Sequence, residues 1–375
     1  MAMVHRVMII AGEASGDLHG SGVVRELKRR QPAVETFGVG GDRMKAEGMD
    51  LVYHIRELGF MGFVEVVKHL PFLRVMERTL EQIVRFKKPD VLLLIDYPGF
   101  NLRFARIAKR YGARIVYYIS PQVWAWHPSR VRKMRGVVDK MLVIFPFEVD
   151  FYRAEGVHAE FVGHPLLEVL GTTADRTTFC GRLGIDPSRM VLALLPGSRK
   201  QELDAILPEM IAAARTIARE RNAEICLGIA PTLDEQYIRT LFRVDGIHLL
   251  AGATYELMAN ADFAFVASGT ATLETACFGT PMIVVYKTSW PTYLIGRALV
   301  RVRNIGLVNI VAGRQIVPEL IQHRANARGL ARTALGILRD PQILAQMKAD
   351  LSALRGQLGT PGASGRVADH ILAMA

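Results

Sequence analysis

Short apolar runs alternate with amphipathic stretches through the first half of the chain. Arg6–Ala11, Thr36–Val39, Val91–Asp96, Arg114–Ile119 and Met141–Phe145 have the length and apolar character of buried strands. Between them Leu18–Arg30, Phe72–Lys87 and Leu102–Tyr111 repeat apolar residues at helical spacing. Strands spaced by helices in this way predict a parallel sheet with helices on both faces. The pattern breaks at Gly163-His164-Pro165, runs through a polar stretch to Asp175, and restarts. Val191–Leu195, Ile225–Ile229, Ile247–Leu250, Phe263–Val266 and Met282–Val285 read as strands. Glu202–Arg221, Leu233–Arg243, Thr272–Phe278 and Pro291–Val300 read as helices, and everything after Pro318 reads as helical. The expected fold class is α/β: two Rossmann-like units whose strand carboxyl ends face a shared cleft, where open α/β sheets bind ligands.

Composition changes this picture little. The 375 residues have room for two domains with real cores. Lys and Arg outnumber Asp and Glu by 47 to 36, a net charge of +11. The excess favours anionic partners. Neither zinc-knuckle spacing nor an aromatic RNP-like strand occurs, so phosphate groups and an acidic membrane surface are favoured over nucleic acid. The cysteines Cys180, Cys226 and Cys277 are far apart and odd in number, which fits reduced core thiols of a cytoplasmic protein. Val7–Ile10 runs straight into Gly12-Glu13, too short for a signal core, and no uncharged run approaches the roughly 18 residues of a membrane span. Any membrane contact is expected to be peripheral.

The chemistry gathers where the strands end. Gly12-Glu13-Ala14-Ser15-Gly16-Asp17-Leu18-His19-Gly20 follows the first strand. Its glycines do not fit the dinucleotide fingerprint, and its acids would repel a pyrophosphate. Glu13, Ser15, Asp17 and His19 suit a hydroxyl-rich ligand, the alternative being a plain strand-to-helix turn with Asp17 as N-cap. Asp96 ends a wholly apolar strand just before Tyr97-Pro98-Gly99-Phe100-Asn101. It is either a general base with a pKa raised by burial or a turn-forming Asp. Ser120-Pro121-Gln122-Val123-Trp124-Ala125-Trp126-His127 offers two indoles, for a sugar, for an acyl pocket or for the core.

In the second half, Leu195-Pro196-Gly197-Ser198-Arg199-Lys200-Gln201-Glu202 joins a strand to a helix. Ser198 and Gln201 have capping-box spacing, which puts Arg199 in the first helical turn, where the dipole disfavours a cation unless an anion is near. Ala267-Ser268-Gly269-Thr270-Ala271-Thr272-Leu273-Glu274 repeats the arrangement with small residues that let backbone N–H groups approach a phosphate. Glu274 lies about a turn further on, placed for a ribose diol. Two such loops point to a nucleoside diphosphate. No GxxxxGK[ST], DxD or HExxH occurs, so neither a P-loop nor a bound metal is expected, and no cofactor is called for. From Leu58 to Lys88 a Phe/Met cluster (Phe60, Met61, Phe63) precedes basic residues such as Arg74, Arg78 and Arg85. A second basic patch, Arg297, Arg301 and Arg303, lies near Trp290 and Tyr293. The Phe/Met cluster is the better membrane or acyl-chain candidate, the basic stretch after it reads rather as a core-facing helix with solvated arginines, and the second patch is a similar membrane candidate.

The stretches GEASGDLHG, IDYPGFN, SPQVWAWHPSR, LPGSRKQE and ASGTATLE, with Asn309 in GLVNIVAGR, resemble the lipid-A-disaccharide synthases, a family of GT-B glycosyltransferases, in order and over nearly the whole chain. The resemblance implies transfer of 2,3-diacylglucosamine from its UDP derivative to the 6-hydroxyl of 2,3-diacylglucosamine 1-phosphate (lipid X), with inversion and release of UDP. It makes Asp96 the base, with Glu13 and His19 facing the reacting sugars and Ser15 and Asn101 among the substrate contacts. Arg199, beside Ser198, takes the diphosphate together with Gly269, Thr270, Ala271 and Thr272. Glu274 takes the ribose, and Asn309 orients donor groups. It implies a domain at 1–165, a UDP-sugar domain at 166–345, and helices at 346–375 returning to the first. It also implies a peripheral position on the cytoplasmic face of the inner membrane, and a homodimer in members that exchange the C-terminal segment.

Overall fold

A computed structural model describes residues 4–58, 70–121, 123–126, 128–171, 173–290, 293 and 304–374. The chain forms two compact units, Met1–Glu168 with Leu358–Ala375, and Val169–Gln357.

The first unit holds seven strands: β1 (Arg6–Ala11), β2 (Glu35–Gly40), β3 (Asp50–His54), β4 (Val91–Ile95), β5 (Arg114–Tyr118), β6 (Lys140–Val143) and β7 (Ala159–Phe161). They lie in the order β3-β2-β1-β4-β5-β6-β7, with every pairing parallel. The second unit holds β8 (Met190–Leu195), β9 (Ala223–Ile229), β10 (Ile247–Ala251), β11 (Phe263–Ala267), β12 (Met282–Tyr286) and β13 (Glu319–Ile321). Their order, β10-β9-β8-β11-β12-β13, repeats that of the first sheet, again all parallel. Each is a doubly wound α/β sheet, the class the pattern predicted. Each order reverses between the unit's first and fourth strands, and that reversal opens a crevice at the strand carboxyl ends.

The central strands are buried on both faces. Val91 to Ile95 and Leu192 to Leu194 are fully inaccessible. Truncating one of these leucines to Ala is expected to cost about 2–5 kcal/mol. Three strands left no apolar run to read: β3, β7 and β13, all at sheet edges and mostly half-exposed. β13 also corrects the expectation that everything after Pro318 is helical.

Helices begin earlier than their apolar periodicity. Ala14–Arg30, Pro98–Arg110, Lys200–Arg221 and Thr270–Cys277 each open two to four residues ahead of the first periodic residue. Apart from Phe100, their first turns are small or polar, so they carry little apolar periodicity, yet they hold several of the candidate site residues. The expected helix Pro291–Val300 lies almost wholly outside the described residues. At the C-terminal end, Ala327–Arg339 and Pro341–Gln357 belong to the second unit, while Ala363–Leu372 packs on Ala14–Arg30 in the first.

Candidate active site

The strand-order reversal in the first unit brings together the loops after β1 and β4. Gly12 follows β1, and a Cβ there would lie 2.3 Å from the Tyr97 ring, so only glycine lets the two loops meet. Asp96 and Tyr97 follow β4, both left-handed with φ of +46° and +47°. Two such non-glycine residues in succession cost on the order of 1–3 kcal/mol each, and such strain concentrates at functional sites. Burial, then the nearby Glu13 charge, pushes the Asp96 carboxyl up to about 6, against a hydrogen bond from the Tyr97 N–H that favours ionisation. Tyr97 is raised as well, by burial and then by Glu13.

Glu13 is the N-cap of helix Ala14–Arg30, with no side-chain capping bond and an exposed side chain, and Ser15 is exposed beside it. Asp17, expected as a possible N-cap or ligand handle, is instead buried in the first turn. Its carboxylate accepts the N–H groups of Gly41 (2.7 Å), Arg43 (3.1 Å) and Met44 (3.1 Å), holding the start of the neighbouring helix Asp42–Ala46. His19 is half-buried, and desolvation lowers it to about 4. At neutral pH it is an uncharged imidazole. His164 is driven to about 3 by burial and then by His19, and its Nδ1 accepts the Leu166 N–H at 3.1 Å, which leaves its proton on Nε2.

Asn101, expected to touch substrate, is fully buried. Its amide donates to the carbonyls of Asp96 (2.7 Å) and Ile95 (3.3 Å). Sequence reasoning missed Glu148. This buried carboxylate accepts from the Ser120 hydroxyl, from the Trp124 indole (3.1 Å) and from the N–H groups of Phe145 (3.1 Å) and Ile144 (3.3 Å). Burial raises its pKa to about 7. The Trp124 indole packs edge-on against Phe147 at 5.2 Å. Glu at the third position of a Pro-led helix, as in Phe145-Pro146-Phe147-Glu148, was the available signal. The side chains of Trp126 and His127 lie outside the described residues.

In the second unit the reversal brings together the loops after β8 and β11. Gly197 has φ of +97°, and Glu202 Oε2 lies 2.6 Å from where its Cβ would be. Arg199 is itself the N-cap of Lys200–Arg221, with extended φ and ψ, so the expected capping box on Ser198 does not form. The helix starts one residue later than that spacing required. Arg199 is 66% exposed and pairs with Glu202 at 3.1 Å. Ser198 is exposed, and its carbonyl accepts the Thr232 hydroxyl at 2.7 Å. Lys200 sits over the Tyr237 ring, 4.6 Å from its centroid.

Opposite that loop in the sheet order, Gly269 is the N-cap of Thr270–Cys277. Gly269 and Thr270 are exposed and Ala271 half-buried. Thr272 turns inward: its hydroxyl donates to Gly269 O (2.8 Å) and accepts the Val308 N–H (3.4 Å). Glu274 is half-buried, its pKa raised by burial against a hydrogen bond from Tyr255 (3.1 Å). Asn309 is fully buried with its bonding capacity filled. Its amide donates to Val317 O (2.9 Å) and Glu319 (2.8 Å), and its oxygen accepts from Ile316 (2.8 Å) and Val317 (3.0 Å). Glu319 also accepts the Ile305 and Gly306 N–H groups, and Ser268 donates to Ile305 O. Asn309 therefore braces the loop beside Thr272 and has no free atom for a donor.

Two parallel sheets of this order, one with a raised acid at its reversal and one with a glycine in each of the loops leading to two helix starts, define the GT-B fold of glycosyltransferases and related epimerases. The calicheamicin glycosyltransferase CalG4 has this fold, at TM-score 0.65 and 15% identity over 100% of this chain and 98% of that one. So does the Neisseria meningitidis UDP-GlcNAc 2-epimerase bound to UDP-GlcNAc, at 0.66 and 12% over 98% and 100%. Fold alone does not separate transferase from epimerase. Sequence does: the family model described as Lipid-A-disaccharide synthetase matches residues 7–366. The lipid-A-disaccharide synthase of Syntrophus aciditrophicus is 46% identical over 366 residues, 96% of each chain. The chain belongs to the lipid-A-disaccharide synthase family. Its reaction joins 2,3-diacylglucosamine from the UDP donor to the 6-hydroxyl of lipid X, with inversion and loss of UDP.

Proposed function

We propose that the two reversals serve the two ends of this reaction. Asp96 is the general base that takes the proton of the acceptor 6-hydroxyl as that oxygen attacks the anomeric carbon. The observation that carries this is its carboxyl, pushed up to about 6 by burial and by Glu13 and held in a left-handed turn. A base is most effective with a pKa near the working pH. Glu13, Ser15 and the neutral His19 contact the sugars. Arg199 exchanges Glu202 for the UDP diphosphate, which a guanidinium binds bidentately. The exposed N-terminus at Gly269, Thr270 and Ala271 shares the diphosphate charge, and Glu274 holds the ribose. Asn101, Thr272 and Asn309 act as braces.

The polar lipid substrates also fit a peripheral position on an anionic membrane. Helix Leu70–Lys87 exposes Val75 (55%) and Phe86 (78%) with Arg74, Arg78 and Arg85. No helix among the described residues is long and apolar enough to cross a membrane. The Phe/Met cluster at 60–63 and Arg297, Arg301 and Arg303 lie outside the described residues. Trp290 is 58% exposed and packs edge-on against Tyr293.

The test is UDP release with acylated and non-acylated donors. Release only with acylated donor and acceptor, lost in Asp96→Asn and Arg199→Ala variants that stay folded, is the expected result. Undiminished turnover in Asp96→Asn sinks the base assignment.

A further inference from the structure

Tyr117 is wholly buried on β5, where it pairs in register with Leu94 of β4. A phenylalanine would fill the same space without bringing a hydroxyl into the core, and a buried tyrosine hydroxyl needs a partner. Here the partner is the backbone carbonyl of Asp96, at 2.6 Å. The same carbonyl accepts from the Asn101 amide at 2.7 Å. The Asp96 N–H donates to the carbonyl of Tyr118, the next residue of β5, at 3.1 Å. Both polar backbone atoms of Asp96 are thus held, and β5 supplies a bond to each.

The backbone held here is one that aspartate adopts reluctantly. Asp96 and Tyr97 are both left-handed, and nothing local favours two such residues in a row. Left unrestrained, the pair would relax to extended or right-handed geometry and swing the Asp96 carboxyl away from Glu13. We infer that Tyr117 is a positioning residue: its hydroxyl, together with the Asn101 amide, pins the Asp96 carbonyl and so fixes the turn that aims the Asp96 carboxyl. This rests on the reading of Asp96 as the base. Tyr117 touches neither substrate nor reacting atoms.

Tyr117→Phe keeps the ring and removes the bond. Its kcat is expected to fall roughly five- to tenfold, with the KM of each substrate within about twofold. The acid limb of the kcat profile should move down from near 6, because a loosened carboxyl is better solvated. Asn101→Ser removes the other bond and should give the same signature. The double variant should lose less than the product of the two, because both bonds restrain one carbonyl. Unchanged kcat and an unmoved limb in both single variants overturn the positioning role. A purely structural role is marked by a lower melting temperature with an unmoved limb, and overturns it too. Asp96→Asn run alongside separates the two ideas. An inactive Asp96→Asn with unaffected Tyr117→Phe removes the positioning role alone. An active Asp96→Asn removes the base and the positioning role with it.

Discussion

At the end of β4 the backbone is bent into two left-handed residues, the carboxyl there is partly desolvated, and a second acid lies close enough to raise it further. At the ends of β8 and β11, in a sheet of the same strand order, the first helix start carries an exposed arginine and the second carries small residues. The same topology has been loaded in opposite ways. One reversal stores strain and an awkward charge, which fits the proposed base. The other keeps donors open and a cation available, which fits the proposed diphosphate site. Asp17 and Asn309 mark the same contrast at the next level, since each is a buried polar group that fixes a loop without entering the chemistry.

Asp96→Asn breaks the first side hardest. We expect kcat to fall by about a thousandfold, within the range of lost general-base catalysis. The same variant should raise stability. With a folded pKa near 6 against 3.8, the folded carboxyl binds protons more tightly than the unfolded one. Stability is therefore lost as pH rises from 3.8 to about 6, and the penalty persists above. Melting curves of Asp96→Asn should lie a few degrees higher above pH 6 and coincide with wild type below pH 3.8. Arg199→Ala strikes the second side. Turnover should drop about a hundredfold, as for loss of one transition-state donor, and UDP should bind more weakly in calorimetry while acceptor KM is kept.

Smaller effects sharpen the contrast. Asn309→Ala strands several buried backbone groups, each costing about 1–3 kcal/mol, and should lower stability in denaturant titration and raise donor KM about tenfold. Glu13→Gln removes the charge that raises Asp96, so the acid limb of kcat/KM should fall by about half a unit. Glu202→Gln frees Arg199 from an exposed pair worth at most about 1 kcal/mol, so UDP should bind up to about fivefold tighter. A weaker-binding Glu202→Gln would mean that Glu202 aims the arginine instead of competing for it.

The sheets were legible because their central strands are apolar on both faces, and β1 was read to its ends. Edge strands such as β3 and β7 were not, since half-exposed strands show no apolar run. The site was legible as a set of strand-end positions. What the sequence could not say is which of its polar residues face outward. Asn101, Thr272 and Asn309 lie in motifs of the same kind as those of Glu13 and Arg199, but each turns inward to satisfy backbone groups. Local sequence does not encode that direction, because it depends on the neighbouring strand or loop. Glu148 escaped for the related reason that its partners Ser120 and Trp124 come from a different loop.

Helix Ala363–Leu372 completes a unit begun more than three hundred residues earlier. The Ser364 N–H donates to the Glu168 carboxylate at 2.7 Å, Asp369 pairs with Arg30, and Arg366 donates to Val162 O at 2.7 Å. During synthesis the Val169–Gln357 unit is continuous and can close as soon as it is made. The face of Ala14–Arg30 that receives helix Ala363–Leu372 stays uncovered until that helix has been made. The unit proposed to carry the base thus matures after the Val169–Gln357 unit, although its first strand is made first.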